Sequence, residues 1–377
     1  MIPFNNSLVT GKEIEYIRNV LLSGHISGNG LYTGSCHSFF QNRYNIQGCF
    51  LTTSCTAALE MAAILLDIKP GDEVIVPSYT FVSTALAFYR QGAVIKFIDS
   101  SVDNPCLDET LIESLINEKT RVIVPVHYSG IACNMDLIIK IANKYGLFIV
   151  EDAAHAIESY FNGKPLGTIG DLGCFSFHAT KPIHCGEGGL LAINNGALLK
   201  RAEIVWEKGT NKLQYISGEV DQYEWCDVGS SFLPSELNAA FLRAQLDNID
   251  KVINKRKNIW ELYNEEFKRL EEQGYLKLPV IPEYATVNGY GYFFMLNSLQ
   301  ERVDFLEFMK SKGIICLSHF LPLHKSKFYK NLHDGRTLYY SELYAQTLVR
   351  LPLYYALDEE KILYITAQVK DFFKGRK

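Results

Sequence analysis

Between residues 72 and 194 the chain repeats one pattern: a short apolar, mostly β-branched run, a turn, then a segment whose apolar residues return at helical spacing. The runs are DEVIVPS (72–78), VIKFIDS (94–100), TRVIVPVHYSG (120–130) and LFIVEDAA (147–154). YTFVSTALAFYRQ, DETLIESLINE and NMDLIIKIANKYG lie between them with helical periodicity. Strands that are apolar throughout, not alternately, are buried on both faces, and helices between them provide the crossovers that parallel strands require. The expected fold is α/β, a mainly parallel, doubly wound sheet. CFSFHA and GLLAINN follow at closer spacing around a glycine turn, so one edge of the sheet is expected to be antiparallel.

After about residue 233 the pattern changes to one long or broken helix, then single strands YFFMLN and GIICLSHF among helices near 299–312, 337–348 and 357–375. This reads as a large α/β domain over 1–250 and a smaller α+β domain over 251–377. A chain of 377 residues with 47% hydrophobic residues can bury such a core. No apolar run reaches the roughly 20 residues of a membrane span, and MIPFNNSLVTGKEIEY lacks the basic and apolar blocks of a signal peptide. A cytoplasmic location is expected. Nine scattered cysteines with no CxxC pair fit reduced thiols, and no HExxH or compact His/Cys cluster argues for a metal. A net charge of −5 without a basic tract argues against nucleic acid as partner.

In a doubly wound sheet ligands gather at the carboxyl ends of the strands, and four such ends carry unusual residues. LTTSCTAALEMAAILL places Thr52, Thr53, Ser54 and Thr56 ahead of an apolar helix, either as an ordinary cap or as an anion site made of hydroxyls and free N–H groups. Asp152 follows a buried run, as a cap or as a fixed charge facing a ligand. VPSYTFVSTALAF offers Tyr79 and Phe81, and an aromatic there usually belongs to the core. Lys181, in CFSFHATKPIHCGEGG, decides between these readings. Burial disfavours an ammonium and so favours the nucleophilic amine. An amine, an anion pocket, an aromatic plate and a carboxylate together are what pyridoxal 5'-phosphate (PLP) chemistry requires. The glycines at 186, 188 and 189 would let the backbone turn beside the cofactor without Cβ clashes.

These segments, SFHATK with GEGG, VEDAAHA, VPSYTFVSTALA and TTSCTAALEMA, closely resemble the DegT-type nucleotide-sugar aminotransferases, a fold-type I PLP family. The similarity runs from SGHISGNGLYTG to LVRLPLYY. It implies Lys181 as the Schiff-base lysine and Asp152 as the acid on the pyridine nitrogen. It places His155 near the cofactor's phenolic oxygen, Phe81 on the ring, and Ser54 and Cys55 in the phosphate turn, with Ser176 adding a hydroxyl. Asn211 in EKGTN matches a side chain that reaches the phosphate of a neighbouring subunit, which implies a homodimer with shared active sites. His319 and His324 match a segment at the mouth of the site, with substrate contact and local structure both open. SGHISGNGLYTG is implied to lie against the nucleotide-sugar.

The implied reaction moves an amino group from L-glutamate to a nucleotide-linked keto-sugar, in the first instance dTDP-4-keto-6-deoxyglucose, for a surface polysaccharide. Amination at C3, a UDP- or GDP-linked acceptor, and a non-catalytic protein with the same fold are the alternatives. Lys181 argues against the family's dehydratases, which have histidine there. Tyr290 stands where relatives often have histidine, Gln41 where an acid is frequent, and Pro182 where asparagine follows the lysine. These departures bear on sugar recognition, not on the reaction type.

Overall fold

A computed structural model describes residues 1–375. Helices α1 (Glu13–Ser23) and α2 (Leu31–Tyr44) lead into strand β1 (Gly48–Thr52), α3 (Cys55–Leu65), β2 (Glu73–Pro77), α4 (Val82–Tyr89), β3 (Val94–Ile98) and β4 (Thr120–Ile123). Then come α5 (Met135–Tyr145), β5 (Phe148–Asp152), the two-residue ribbon strands β6 (Tyr160–Phe161) and β7 (Lys164–Pro165), β8 (Leu172–Ser176) and β9 (Gly189–Ile193). The remainder is α6 (Leu199–Trp206), α7 (Lys212–Ser217), α8 (Glu236–Leu246), α9 (Ile249–Glu272), β10 (Tyr292–Met295), α10 (Leu299–Ser311), α11 (Tyr339–Thr347), β11 (Leu348–Leu351) and α12 (Glu359–Phe373).

The seven-stranded sheet runs β1-β9-β8-β5-β4-β2-β3. Successive residues of each strand point to opposite faces, so Ile75, Ile123 and Ile149 join one core while Val74, Val76, Val122 and Val150 join the other. This is the two-sided burial that the apolar runs imply. The antiparallel strand differs from its expected place. β9 pairs antiparallel with both β8 and β1, and so lies inside the sheet. The edge is β1, a five-residue GCFLT strand too short and too poor in β-branched residues to be read from sequence. DETLIESLINE forms a 3₁₀ turn instead of an α-helix. The long helix breaks between α8 and α9, and GIICLSHF makes only isolated bridges, Ile2 to Ile314 and Leu317 to Arg350. β11, unforeseen in the sequence, pairs with β10 over a third core built on Tyr263, Phe267, Tyr292 and Phe294.

Both sheet edges are closed by side chains, which blocks further strand pairing. On β1, the Leu51 N–H donates to His37 Nε2 (2.9 Å) and the Leu51 carbonyl accepts from Trp206 Nε1 (2.7 Å). On β3, the Tyr329 hydroxyl serves both the N–H (2.8 Å) and the carbonyl (3.1 Å) of Ile95, and Arg336 donates to the Phe97 carbonyl (2.8 Å).

Burial against Phe50 and Trp206 lowers the His37 imidazole to about 4. The unfolded chain takes that proton first, near pH 6.5, so the stabilisation is complete above about 6.5 and is lost as pH falls toward 4. Urea unfolding across this window should show stability falling with pH, and His37→Gln should remove roughly 2 kcal/mol of that dependence. An unchanged slope in the variant would contradict this role for His37.

Candidate active site

Because β1, β2, β4, β5 and β8 point the same way, their carboxyl ends share one rim, and antiparallel β9 begins there. A cavity of about 680 Å³ opens at this rim. It is lined by Ser54, Cys55, Phe81, Asp152, His155, Ser176, Lys181 and His319, eight of the ten residues singled out in the sequence.

Ser54 caps α3, its Oγ accepting from the Ala57 N–H at 3.1 Å. That cap takes one of the first-turn N–H groups and leaves the turn itself at the cavity wall, where the helix dipole favours an anion. Burial, then the charge of Asp152, pushes the Cys55 thiol well above its ordinary value, so Cys55 contributes backbone and a neutral side chain. The turn is closed from behind by β9. A Cβ on Gly189 would stand 2.4 Å from the Ser54 carbonyl carbon and 2.5 Å from the Cys55 nitrogen, a contact only glycine avoids. Gly186 has φ +82°, the left-handed region, and so turns the chain between Lys181 and β9. Phe177 N–H to Gly188 O (2.8 Å) and Ala179 N–H to Gly186 O (2.7 Å) continue the β8–β9 pairing and hold the loop that carries the lysine.

Asp152 is buried at the end of β5. Desolvation raises its carboxyl, opposed by the Thr84 Oγ1 donor (2.7 Å), the Ala154 N–H (3.1 Å) and the charge of Lys181. A carboxylate held this way gains from a cationic partner in the cavity. Thr84, on the buried face of α4, gave no sign of this in the sequence.

Lys181 Nζ lies 3.5 Å from the Tyr290 hydroxyl and 4.9 Å from its ring centroid. Tyr290 stacks on His155 with ring centroids 3.9 Å apart. Burial would raise the Tyr290 phenol, yet the charges of Lys181 and Arg350 hold it below its ordinary value. His155 is driven well below its ordinary value, first by burial and then by Lys181, and its Nδ1 accepts from the Ser129 N–H (3.3 Å). It is therefore a neutral ring with the proton on Nε2. Phe81 is 57% exposed on the cavity wall, whereas Tyr79 is core, packed against Tyr128, Phe320 and Tyr344. His319 accepts from or donates to the Tyr128 hydroxyl at 2.7 Å and stacks beside Phe320.

Two of the ten lie elsewhere. His324 is buried between Ser78 Oγ (2.7 Å at Nδ1) and Glu342 (3.3 Å at Nε2), and so ties the 321–325 segment to the end of β2. Asn211 braces its own loop, donating to Gln222 O (2.9 Å) and accepting from the Glu224 N–H (2.8 Å). Among the described residues the SGHISGNGLYTG segment does not line this cavity, and the N–H groups of Gly30, Tyr32 and Thr33 donate to the Glu236 carboxylate. Conversely, Tyr290, Phe320 and Arg350 complete the wall from far along the chain.

The donor set fits PLP: an anion-binding turn beside the Ser176 hydroxyl, a buried carboxylate, an exposed aromatic face and a lysine share one wall. Gly189→Ala should push the Ser54–Cys55 turn out of place and weaken PLP binding roughly ten- to hundredfold, as measured by fluorescence titration. Parental affinity would contradict the close approach.

The model of the DegT/DnrJ/EryC1/StrS aminotransferase family matches residues 8–370. GDP-perosamine synthase of Escherichia coli O157:H7 is 29% identical, with 100% of this chain and 99% of that protein covered. Its namesake from Vibrio cholerae is 28% identical, with 99% of each covered. A protein of Streptococcus pneumoniae described as a sugar aminotransferase, in its PLP form, superposes with a TM-score of 0.89 at 26% identity, covering 99% of this chain and 98% of that one. Its pyridoxamine phosphate (PMP) form gives 0.91 at 26% identity, with 99% of each covered. The chain therefore belongs to the DegT/DnrJ/EryC1/StrS aminotransferase family and is a PLP-dependent sugar aminotransferase with the fold-type I architecture.

Proposed function

We propose that the chain transfers the amino group of L-glutamate to C4 of a nucleotide-linked 4-keto-6-deoxyhexose, with Lys181 and Asp152 as its catalytic residues. The observation that carries the reading is that Lys181, Asp152 and the Ser54 turn meet in one cavity, under an aromatic wall. PLP bound there supplies an electrophilic carbon that carries the amine and a ring that withdraws electrons. The α3 turn and Ser176 would hold its phosphate, Phe81 its ring face, Asp152 its ring nitrogen, and the neutral Nε2–H of His155 its phenolic oxygen. Lys181 Nζ would be both covalent anchor and proton carrier, taking the proton from the donor's α-carbon and later giving one to the sugar's C4. A homodimer is supported by the resemblance of EKGTN, whose Asn211 matches a side chain that reaches the phosphate of a neighbouring subunit. In such a dimer the second Nδ2–H of Asn211 is the donor that a neighbouring copy's phosphate would take.

The dTDP-linked acceptor is supported by the resemblance of GDEVIVPSYTFVSTALAF, KTRVIVPVHYSGIACNMD and EKGTN to transaminases that make dTDP-4-amino-4,6-dideoxygalactose. A GDP-linked acceptor is a second reading, favoured by the end-to-end similarity to two GDP-perosamine synthases. Incubation with glutamate and each keto-sugar, followed by NMR of the product, separates them. An amine at C4 of the dTDP-sugar is the expected product. Turnover of the GDP-sugar alone would transfer the assignment, and an amine at C3 would overturn it.

Lys181→Ala should lower turnover by at least roughly 10²–10⁴-fold while the unfolding midpoint stays near the parent's. Asp152→Asn should retain PLP yet lose about an order of magnitude or more in turnover, since the cavity keeps its shape and loses its charge. An Asp152→Asn enzyme as active as the parent would contradict that role.

A further inference from the structure

Tyr290 is buried on the cavity wall, and among the described residues its hydroxyl is the one hydrogen-bond partner of Lys181 Nζ, at 3.5 Å. Its place is fixed from both sides. The Tyr290 N–H donates to Asn288 Oδ1 (2.8 Å), and the Asn288 amide donates in turn to the carbonyls of His155 (2.8 Å) and Ile157 (2.7 Å). The Tyr290 carbonyl accepts from Arg256 Nη2 of α9 (2.8 Å), and the ring lies flat on His155. Two cations converge on the phenol oxygen. Lys181 Nζ donates to it, and so does the Arg350 guanidinium, whose Cζ is 5.5 Å from the ring centroid. Ammonium and guanidinium groups only donate, so neither takes the phenol's own hydrogen. No other described residue takes it either, which leaves that hydrogen to whatever occupies the cavity. The remaining titratable groups around the ring are Arg256 behind its backbone, the neutral His155 and the Tyr128 phenol, which burial holds un-ionised. Burial opposes ionisation of Tyr290 as well, but the charges of Lys181 and then Arg350 outweigh it. An acid whose value is drawn toward the working pH is the better proton donor.

Amino transfer to a carbonyl needs proton movement at two kinds of atom. At carbon, Lys181 is the carrier. At oxygen, the carbonyl oxygen leaves as water while a carbon–nitrogen bond forms. The amine nitrogen loses two hydrogens, the water gains them, and no oxidant or reductant enters. Resting on the aminotransferase reading, we propose that Tyr290 is the general acid for that oxygen, protonating it as the carbon–oxygen bond breaks and recovering a proton from the amine nitrogen. In the donor half-reaction the same hydroxyl works in reverse and takes a proton from the water that adds to the donor's α-carbon. The nitrogen in transfer replaces Lys181 Nζ, so an oxygen on the carbon bonded to it comes beside the hydroxyl that touches Nζ. The phenolate left after donation is held by two cationic donors, which lowers the cost of forming it. Other polar groups on this wall are engaged: Ser54 Oγ caps α3, Asp152 accepts from Thr84, and His319 is bonded to the Tyr128 hydroxyl.

The test compares the PLP-loaded parent with Tyr290→Phe, which deletes the hydroxyl and keeps the ring against His155. Exchange of glutamate's α-hydrogen with deuterated solvent, followed by NMR, reports the carbon step alone. Release of 2-oxoglutarate in a single turnover requires the oxygen step as well. In Tyr290→Phe that release should slow roughly 10²-fold or more, while the exchange should slow less than about threefold. The parent's release rate should fall as pH rises through the phenol's value, below about 10, and this descent should be missing from the variant. Loaded with pyridoxamine phosphate, which leaves the Lys181 amine free, the parent should form one tyrosinate below about 10, by ultraviolet titration, that Tyr290→Phe lacks. Exchange and release slowed equally would make Tyr290 a structural brace and overturn the assignment. A variant that releases 2-oxoglutarate as fast as the parent, a descending limb that persists in it, or no early tyrosinate in the parent would each overturn it too. A parent that neither exchanges the α-hydrogen nor forms 2-oxoglutarate overturns the aminotransferase reading along with this proposal. A competent parent with an equally competent variant overturns this proposal alone.

Discussion

A sheet buried on both faces has only its rim on which to place polar chemistry, and the candidate site follows from that constraint. Each strand spends its length on apolar contacts with two helical layers, and the first polar side chain after the last apolar residue emerges where the carboxyl ends meet. Asp152 is the clearest instance. It ends β5, is desolvated there, and is kept ionisable by Thr84, Ala154 and the nearby lysine. Without those partners the burial cost would favour the neutral acid.

The inserted antiparallel strand does the second part of the work. Six strands of one direction bring their ends to the rim, but a lysine must also be carried across them. The reversal from β8 to β9 does this with a loop that leaves the rim, turns at Gly186 and returns through Gly188 and Gly189. The returning strand passes so close to the Ser54 turn that only a hydrogen fits at position 189. Lysine loop and anion turn are thus coupled through backbone contact. The side-chain caps on β1 and β3 keep that sheet from extending, leaving the rim as the place for a ligand.

Much of this was legible in the sequence because the chemistry is local to strand ends. Asp152, Ser54 and Ser176 stand at or just after the end of an apolar run, Lys181 follows on the loop after β8, and a parallel sheet brings such positions together. Arg350 was opaque for the opposite reason, and Tyr290 was marked only by the resemblance, as a departure bearing on sugar recognition. Both arrive from a part of the chain more than a hundred residues beyond Lys181, where no apolar run ending at a sheet rim announces a cavity. β1 was missed because GCFLT has little strand character of its own and is stabilised by β9, His37 and Trp206. His324 shows the limit of motif reasoning. It shares a short segment with His319, yet its ring bridges Ser78 and Glu342 while His319 reaches the cavity.

The central claim is that Lys181, and no other of the chain's lysines, is the residue joined to the cofactor in the resting protein. Borohydride reduction of the PLP-loaded protein, followed by proteolysis and mass spectrometry, measures it directly. The account predicts the added cofactor mass on the peptide that contains Lys181. Finding that mass on a different peptide, or on none at saturating PLP, would contradict it.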